Sequence, residues 1–317
     1  MAESKATAVE EAAREDLAGL VELRRACMPH VAATPNLLAW QWLDNPSGQA
    51  RIYVIRDRGR IVSMYQAIQQ RVRFGGAVRA ARMIQDVMTL PDYRGRGYLH
   101  AQAWRCLDDM TAAGEVGYTF PNQQSERSFR RTGWIELGRV PLRTRTIAPA
   151  APAAPQGPRV VLREVDRFDE AATRIWQQSG LPCGVHRDAE YLNWRYRKPD
   201  CHYARFIVGD NAGILVLKRY AEGDRVIVHI CELVAPADAG ELVTAALAAA
   251  EHHAQRLGTS ELTCWLPAGH PHEPAYEAAG FGLQQLDRYI FATANDAGGL
   301  PTDSSAWHFS QGDSDVY

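Results

Sequence analysis

The sequence has no C-x-x-C pair, no long apolar run and almost no net charge, and each absence removes a class of protein. Its six cysteines, Cys27, Cys106, Cys183, Cys201, Cys231 and Cys264, are scattered, and even the nearest two, Cys183 and Cys201, are well separated. That spacing excludes a zinc ribbon or a disulfide framework and predicts reduced thiols, most of them packed as small hydrophobes. No metal is expected. No stretch reaches the roughly 18 apolar residues of a membrane-spanning helix. The longest alanine-rich run, Leu242 to Ala250, is too short and is amphipathic. The opening Met1-Ala-Glu-Ser-Lys-Ala lacks an apolar core, so no secretory leader is expected. Lys and Arg number 35 against 37 Asp and Glu, a formal charge of −2. This argues against a nucleic-acid or anionic-membrane partner while leaving room for a local basic pocket. The expectation is a cytoplasmic protein. What is present, 46% hydrophobic and 23% charged residues over 317 positions, is ordinary for a globular chain of about two domains.

One segment separates two halves. Residues 147–158 read IAPAAPAAPQGP, with Pro149, Pro152, Pro155 and Pro158 at steps of three. Proline at that density forbids helix and central strand and favours an extended spacer. The halves on either side share landmarks. LLAWQWLDNP, with Trp40 and Trp42, is echoed by YLNWRYRKP, with Trp194 and Tyr196. The interval from Trp40 to Gly59 equals that from Trp194 to Gly213, and each glycine is expected in a turn between strand-like runs. The interval from Gly59 to Gly133 is nearly matched by that from Gly213 to Gly280. Landmarks in one order at matched spacing indicate a duplicated fold.

Each half mixes periodicities. In the first, a helix is expected in REDLAGLVELRRACM, a hairpin around Gly59, a strand at 82–89, a helix from Gly97 to Ala113, a strand at 116–120 and a helix ending near Thr132. In the second, a strand VVLREV, a helix from Asp169 to Gln178, a hairpin, a strand RVIVHICELVA, a helix from Ala239 to Leu257 and a strand ELTCWLP are expected. This pattern predicts the α+β class.

The richest stretch is DVMTLPDYRGRGYLHAQAWRCL, residues 86–107. A strand ends at Thr89, a turn begins at Pro91, and Arg94-Gly95-Arg96-Gly97 opens directly into a helix. Glycine allows close backbone approach and positive φ. The first helical N–H groups have no internal partner, and the helix dipole adds positive potential beside two arginines. Together these make an anion site suited to a pyrophosphate.

Strand–P-x-Y-R-G-R-G–helix resembles the coenzyme-A loop of the GNAT superfamily of acyl-CoA N-acyltransferases, whose pattern is Q/R-x-x-G-x-G/A. Arg94, Arg96 and Gly97 fit; Leu99 stands where Gly or Ala is usual. GYTFPNQQSERSFRRTGW, residues 117–134, resembles the segment completing the family's acyl-CoA slot, with Asn122, Ser125, Gly133 and Trp134 matching. Phe129 occupies the position of the tyrosine that protonates the leaving thiolate in many relatives, and a phenyl ring cannot donate. The resemblance implies two tandem GNAT-like domains, each a mixed, mostly antiparallel sheet flanked by helices: 1–146 with the intact loop, the 147–158 linker, a degenerate domain at 159–297 and a tail at 298–317. In the second half PADAGELV replaces the arginine-glycine loop, so no strong pyrophosphate site is expected there, and Tyr276 is expected to be structural.

By this resemblance the co-substrate is acetyl-CoA or another acyl-CoA. Val87, Met88 and Thr89 would bond its pantetheine arm as a third strand does, and Arg94, Gly95, Arg96, Gly97, Tyr98 and Leu99 would hold its pyrophosphate. Asn122, Ser125 and Phe129 would flank it. Asp86, just before the cofactor-facing stretch, is the first candidate for general base, and His100 is the second. The acceptor is expected to be the primary amine of a small metabolite or amino sugar. Trp40, Trp42, Trp194 and Tyr196 could stack on a sugar or simply pack. In the tail, Trp307 and Phe309 suggest docking, and Asp313 and Asp315 could meet an ammonium. The alternatives are a non-catalytic acyl-CoA sensor, an aminoacyl-tRNA-dependent transferase and a changed acyl chemistry such as decarboxylation. The oligomeric state is not legible.

Overall fold

The computed structural model describes residues 8–147, 160–223, 225–293 and 300–314. All four prolines of the expected spacer lie outside them. In chain order the first half comprises β1 (Glu10–Glu11), α1 (Leu17–Cys27), α2 (Pro35–Trp42), β2 (Arg51–Asp57), β3 (Arg60–Phe74), β4 (Ala77–Thr89), α3 (Tyr98–Ala113), β5 (Val116–Thr119), α4 (Glu126–Arg131) and β6 (Trp134–Thr146). The second comprises β7 (Leu162–Glu164), α5 (Glu170–Gln178), β8 (Cys183–Val185), α6 (Ala189–Arg195), β9 (Tyr203–Val208), β10 (Gly213–Glu222), β11 (Arg225–Val234), α7 (Gly240–Arg256), β12 (Glu261–Trp265), α8 (Glu273–Ala278), β13 (Gly282–Thr293) and β14 (Trp307–His308).

Local chemistry sets many of the helix boundaries. Thr34 caps α2 by accepting from the Leu37 N–H at 3.1 Å, with Pro35 pre-set for the first turn. Asp169 and Asp188 cap α5 and α6 in the same way. Gly97 and Gly114, both left-handed, bound α3 at its two ends. One expected turn is displaced. Gly213 lies in β10 opposite Val208, and the reversal is carried by Gly209 and Asn211, whose φ angles are +62° and +54°.

The chain forms two compact units that do not follow its halves. The first takes the chain up to Arg71, Arg79–Gly138 and Tyr289–Thr302; the second takes Val72–Val78, Arg139–Arg288 and Asp303–Tyr317. In the first unit the strand order is β1-β2-β3-β4-β5-β13, with β4 and β5 parallel. In the second it is β7-β9-β10-β11-β12-β6, with β11 and β12 parallel. The order is the same, which is the duplication read from the sequence. The strand that ends each half, however, completes the sheet of the other unit: β13 pairs antiparallel with β5, and β6 with β12.

Each sheet carries its core under its longest helix. In the first unit Ala103, Cys106, Leu107 and Met110 of α3 pack with Tyr53, Tyr65, Ile84, Phe129, Trp134 and Phe291. In the second, Val243, Ala246, Leu247, Ala250 and Ala254 of α7 pack on Leu215, Val228, Ile230, Leu262 and Tyr276. All six cysteines are free, and burial pushes the thiols of Cys106 and Cys231 up to about 12, which makes them inert packing groups at neutral pH. Trp40, Trp42 and Tyr196 are buried, so these aromatics pack.

Candidate active site

In the first unit the two parallel strands part. Their ladder runs from Ala81 opposite Val116 to Ile84 opposite Thr119 and stops. β4 continues through Gln85–Thr89, while β5 ends and the Pro121 carbonyl accepts from the Tyr289 N–H at 2.8 Å instead. On its β5 side, Gln85–Thr89 has no strand partner among the described residues. Asp86 sits at the parting in a left-handed conformation, φ +48°, uncommon for a residue with a side chain. Its carboxylate is buried and paired with Arg24 of α1 at 2.8 Å. Arg24 also donates to Gln41 of α2 at 3.4 Å.

The basic loop follows directly. Gly95 and Gly97 have φ of +75° and +78°, and a Cβ on either would meet no described atom within 4 Å. Arg94 donates to the Thr89 carbonyl at 3.2 Å and Arg96 to that of Asp92 at 2.9 Å, which keeps both guanidiniums beside the loop; both residues are exposed. The long helix α3 starts at Tyr98, so its first-turn N–H groups face this loop. Two glycines in conformations other residues resist, open space over them, two arginines and a long helix's positive end fit a diphosphate. Leu99, the departure from the family pattern, turns inward and packs against the core under α3. His100 is half-buried in the first turn of α3.

The other expected site residues separate in role. The side chain of Met88 is buried, Val87 packs against the core, and the Thr89 hydroxyl lies 2.8 Å from that of Ser63. The Asn122 carbonyl oxygen Oδ1 accepts from the Gln124 and Ser125 N–H groups at 3.0 and 3.2 Å, shaping the turn into α4. Phe129 is core: its ring is 5.5 Å from that of Trp134, edge-on at 85°, and 2% of the residue is exposed.

The corresponding parting of β11 and β12, after His229 opposite Thr263, is filled from within the second unit. The tail segment 307–314 is buried there. Gln311 donates to the Thr263 hydroxyl at 3.0 Å, and Gly312 lies so close to Cys231 that a Cβ would come within 3.0 Å of its carbonyl oxygen. This overturns one expectation. Asp313 does not wait over an amine; it is fully buried and paired with Arg187 at 2.7 Å. Asp315 lies outside the described residues. Tyr276 is core, edge-on to Phe281, and the second half offers no arginine-glycine loop before α7.

The same unit carries an acid-sensitive cluster. His229 is held down to about 4 by burial and by Lys218 and Arg225, and His270 to about 2 by burial, His308 and His272. These imidazoles are neutral when folded but take up protons near pH 6.5 once unfolded. Stability is therefore intact above pH 6.5 and falls below it, by about 1.4 kcal/mol per pH unit for each histidine, until the folded group itself protonates. Urea titrations of wild type and His229→Asn at pH 7.5 and 5 check this: the variant should lose less stability between the two.

Residues 8–135 match the model of the Acetyltransferase (GNAT) domain. The front of the chain is a GNAT acetyltransferase domain. This is the acyl-CoA-dependent N-acyltransferase class, and the strand parting, left-handed Asp86 and the arginine-glycine loop described above all fall within the matched residues. Solved structures extend the fold likeness to nine-tenths of the chain. A GCN5-related N-acetyltransferase from Anabaena variabilis superposes with a TM-score of 0.68 at 14% identity, covering 90% of this chain and 72% of its own. One from Kribbella flavida gives 0.66 at 16%, covering 90% and 70%. Eis1 from Mycobacterium abscessus gives 0.61 at 15%, covering 90% and 73%. No curated protein matches the chain. No described helix is long and apolar enough to cross a membrane.

Proposed function

We propose that the protein transfers an acyl group, acetyl in the simplest case, from acyl-CoA to the primary amine of a small cytoplasmic metabolite, and that the first unit does the chemistry. The observation that carries this is the stretch of β4 that β5 leaves uncovered on one side and that runs straight into the arginine-glycine loop: one open strand edge and one basic glycine loop, in line, match a pantetheine arm ending in a diphosphate. The thioester supplies an activated acyl carbon. Gln85–Thr89 presents the backbone that would bind the arm as an added strand, and an N–H there is placed to meet developing negative charge on an acyl oxygen. Arg94, Gly95, Arg96, Gly97, Tyr98 and Leu99 supply the loop and first-turn backbone for the diphosphate. Catalysis rests chiefly on holding the two reactants together.

Phe129 cannot protonate a leaving thiolate. A thiol with an ordinary pKa of about 8.5 can depart as its anion, so this chain needs no dedicated acid there. Asp86 is assigned the ammonium proton. It stands at the parting of the strands, and Arg24 fixes its orientation. His100 is the alternative on the loop side. Asp86→Asn keeps a side chain that tolerates positive φ. If Asp86 is the base, turnover falls about 100-fold or more with the acyl-CoA KM unchanged and the acidic limb of the pH–rate profile lost. If it serves only to pair Arg24, the melting temperature falls and the pH profile keeps its shape. Coenzyme-A calorimetry, followed by thiol release over an amine panel, tests the whole proposal. Binding without turnover on any amine would identify a sensor, and no binding would remove the acyl-CoA assignment.

A further inference from the structure

In the second unit a chain of histidines ties the tail to β11. The His272 N–H donates to His270 Nδ1 at 3.1 Å. His270 Nε2 stands 3.1 Å from His308 Nδ1, and His308 Nε2 stands 3.2 Å from the Glu232 carboxylate. His270 and His272 precede α8, Glu232 belongs to β11, and His308 comes from β14 of the tail. All four residues are buried.

One placement of protons satisfies every contact. A backbone N–H can only donate, so His270 Nδ1 carries no proton. The His270 proton is then on Nε2 and points at His308 Nδ1. That leaves the His308 proton on Nε2, aimed at the carboxylate. Both rings are neutral. A further proton on either ring sets one donor against another somewhere along the chain.

The surroundings give such a proton no relief. Glu232 and Asp313 are both engaged by Arg187, and Glu273 by Arg143 of β6. Arg73 of β3 donates to the Trp176 and Leu181 carbonyls and the Ser179 hydroxyl. His186 accepts the Trp176 indole N–H at 3.2 Å, with Asp188 3.6 Å away. Cys183 of β8, opposite Trp307, is kept a neutral thiol by burial. Burial, Arg187, His272 and Arg73 hold His308 well below the ordinary imidazole range.

The tail is the element placed to give way. β14 pairs with β8 over two residues, Trp307 and His308, and the segment begins at exposed Asp303. Beyond β14 it fills the strand parting through Gln311 and Gly312. Withdrawing it carries His308 into water and opens His270 Nε2 to water as well.

We propose that residues 303–314 are a proton-released plug: proton uptake by His270 and His308 withdraws the tail and opens the parting of β11 and β12. This stands independently of the acyl-transfer assignment. Each ring is neutral while the tail is seated and titrates near pH 6.5 once free. Between pH 7.5 and 5 each therefore multiplies the withdrawn-to-seated ratio by about 30, and the two together by about 1,000.

Hydrogen exchange of the full chain at pH 7.5 and 5, read by mass spectrometry and corrected for the intrinsic rate at each pH, tests this. In the wild type, protection over residues 307–314 should fall about 1,000-fold while α7 remains better protected. Glutamine accepts and donates as a neutral imidazole does but does not titrate. In His308→Gln the fall should shrink to about 30-fold, likewise in His270→Gln, and the double variant should hardly respond. If one single variant does not fold, the other decides. Loss of protection in the tail and α7 together would show global unfolding and overturn the proposal. So would tail protection that ignores pH in the wild type, or variants that keep the wild-type response.

Discussion

Arg187→Met should cost the folded protein about 3–5 kcal/mol, the range for removing one partner of a buried ion pair. Arg187 is wholly buried. It donates to Glu232 of β11 at 2.7 Å, to Asp313 of the tail at 2.7 Å and to the Val185 carbonyl at 2.7 Å. Burial opposes its charge, but the two carboxylates more than offset that and hold its pKa above the ordinary guanidinium value. Methionine fills much of the volume yet leaves Glu232 and Asp313 charged together without water. Glu232 is also within reach of His308, Tyr196 and Ser310, so the disturbance spreads through a connected network. Urea denaturation reads the loss. Adding Glu232→Gln and Asp313→Asn to Arg187→Met should recover most of it, because the unpaired charges are then gone. A single variant as stable as wild type would show that the pair contributes nothing. The tail is thereby given a structural duty, tying β11 to the end of the chain.

Arg94→Ala and Gly97→Ala should each raise the KM for acyl-CoA by about 10- to 100-fold with kcat little changed. A charge-assisted hydrogen bond to a phosphate oxygen is worth about 1.5–3 kcal/mol, which sets that range for Arg94. At Gly97 an alanine must adopt φ +78°, a strain of about 1–2 kcal/mol, and its Cβ projects into the open space over the loop where the proposed diphosphate would sit. Calorimetry with coenzyme A measures both directly. The Arg94 effect should shrink as salt rises, because exposed charges are screened, whereas the Gly97 effect should not. Unchanged affinity in both variants would place the carrier elsewhere.

Much of the site was legible because it is local. The strand, proline turn, glycine loop and long helix lie in one continuous stretch, and the properties of Gly95, Gly97 and the α3 terminus follow from backbone rules that need no distant partner. Phe129 was equally readable: a phenyl ring lacks a proton to give wherever it sits. Asp86 stands out in the sequence by position alone. Neither its left-handed backbone nor its pairing with Arg24, far earlier in the chain, leaves a mark in the sequence.

The tail shows the same division. Trp307 and Phe309 advertised docking, but the partner of Asp313's carboxylate depended on Arg187, which lies in the stretch between β8 and α6. What the sequence by itself determined is the pair of repeated strand–helix series, the arginine-glycine loop in the front half and the lack of one in the rear, all set by periodicity and backbone freedom over short spans. What only the tertiary structure decided is which strand closes which sheet, and which buried charges and amides meet, because such contacts join residues whose separation along the chain carries no periodic signal.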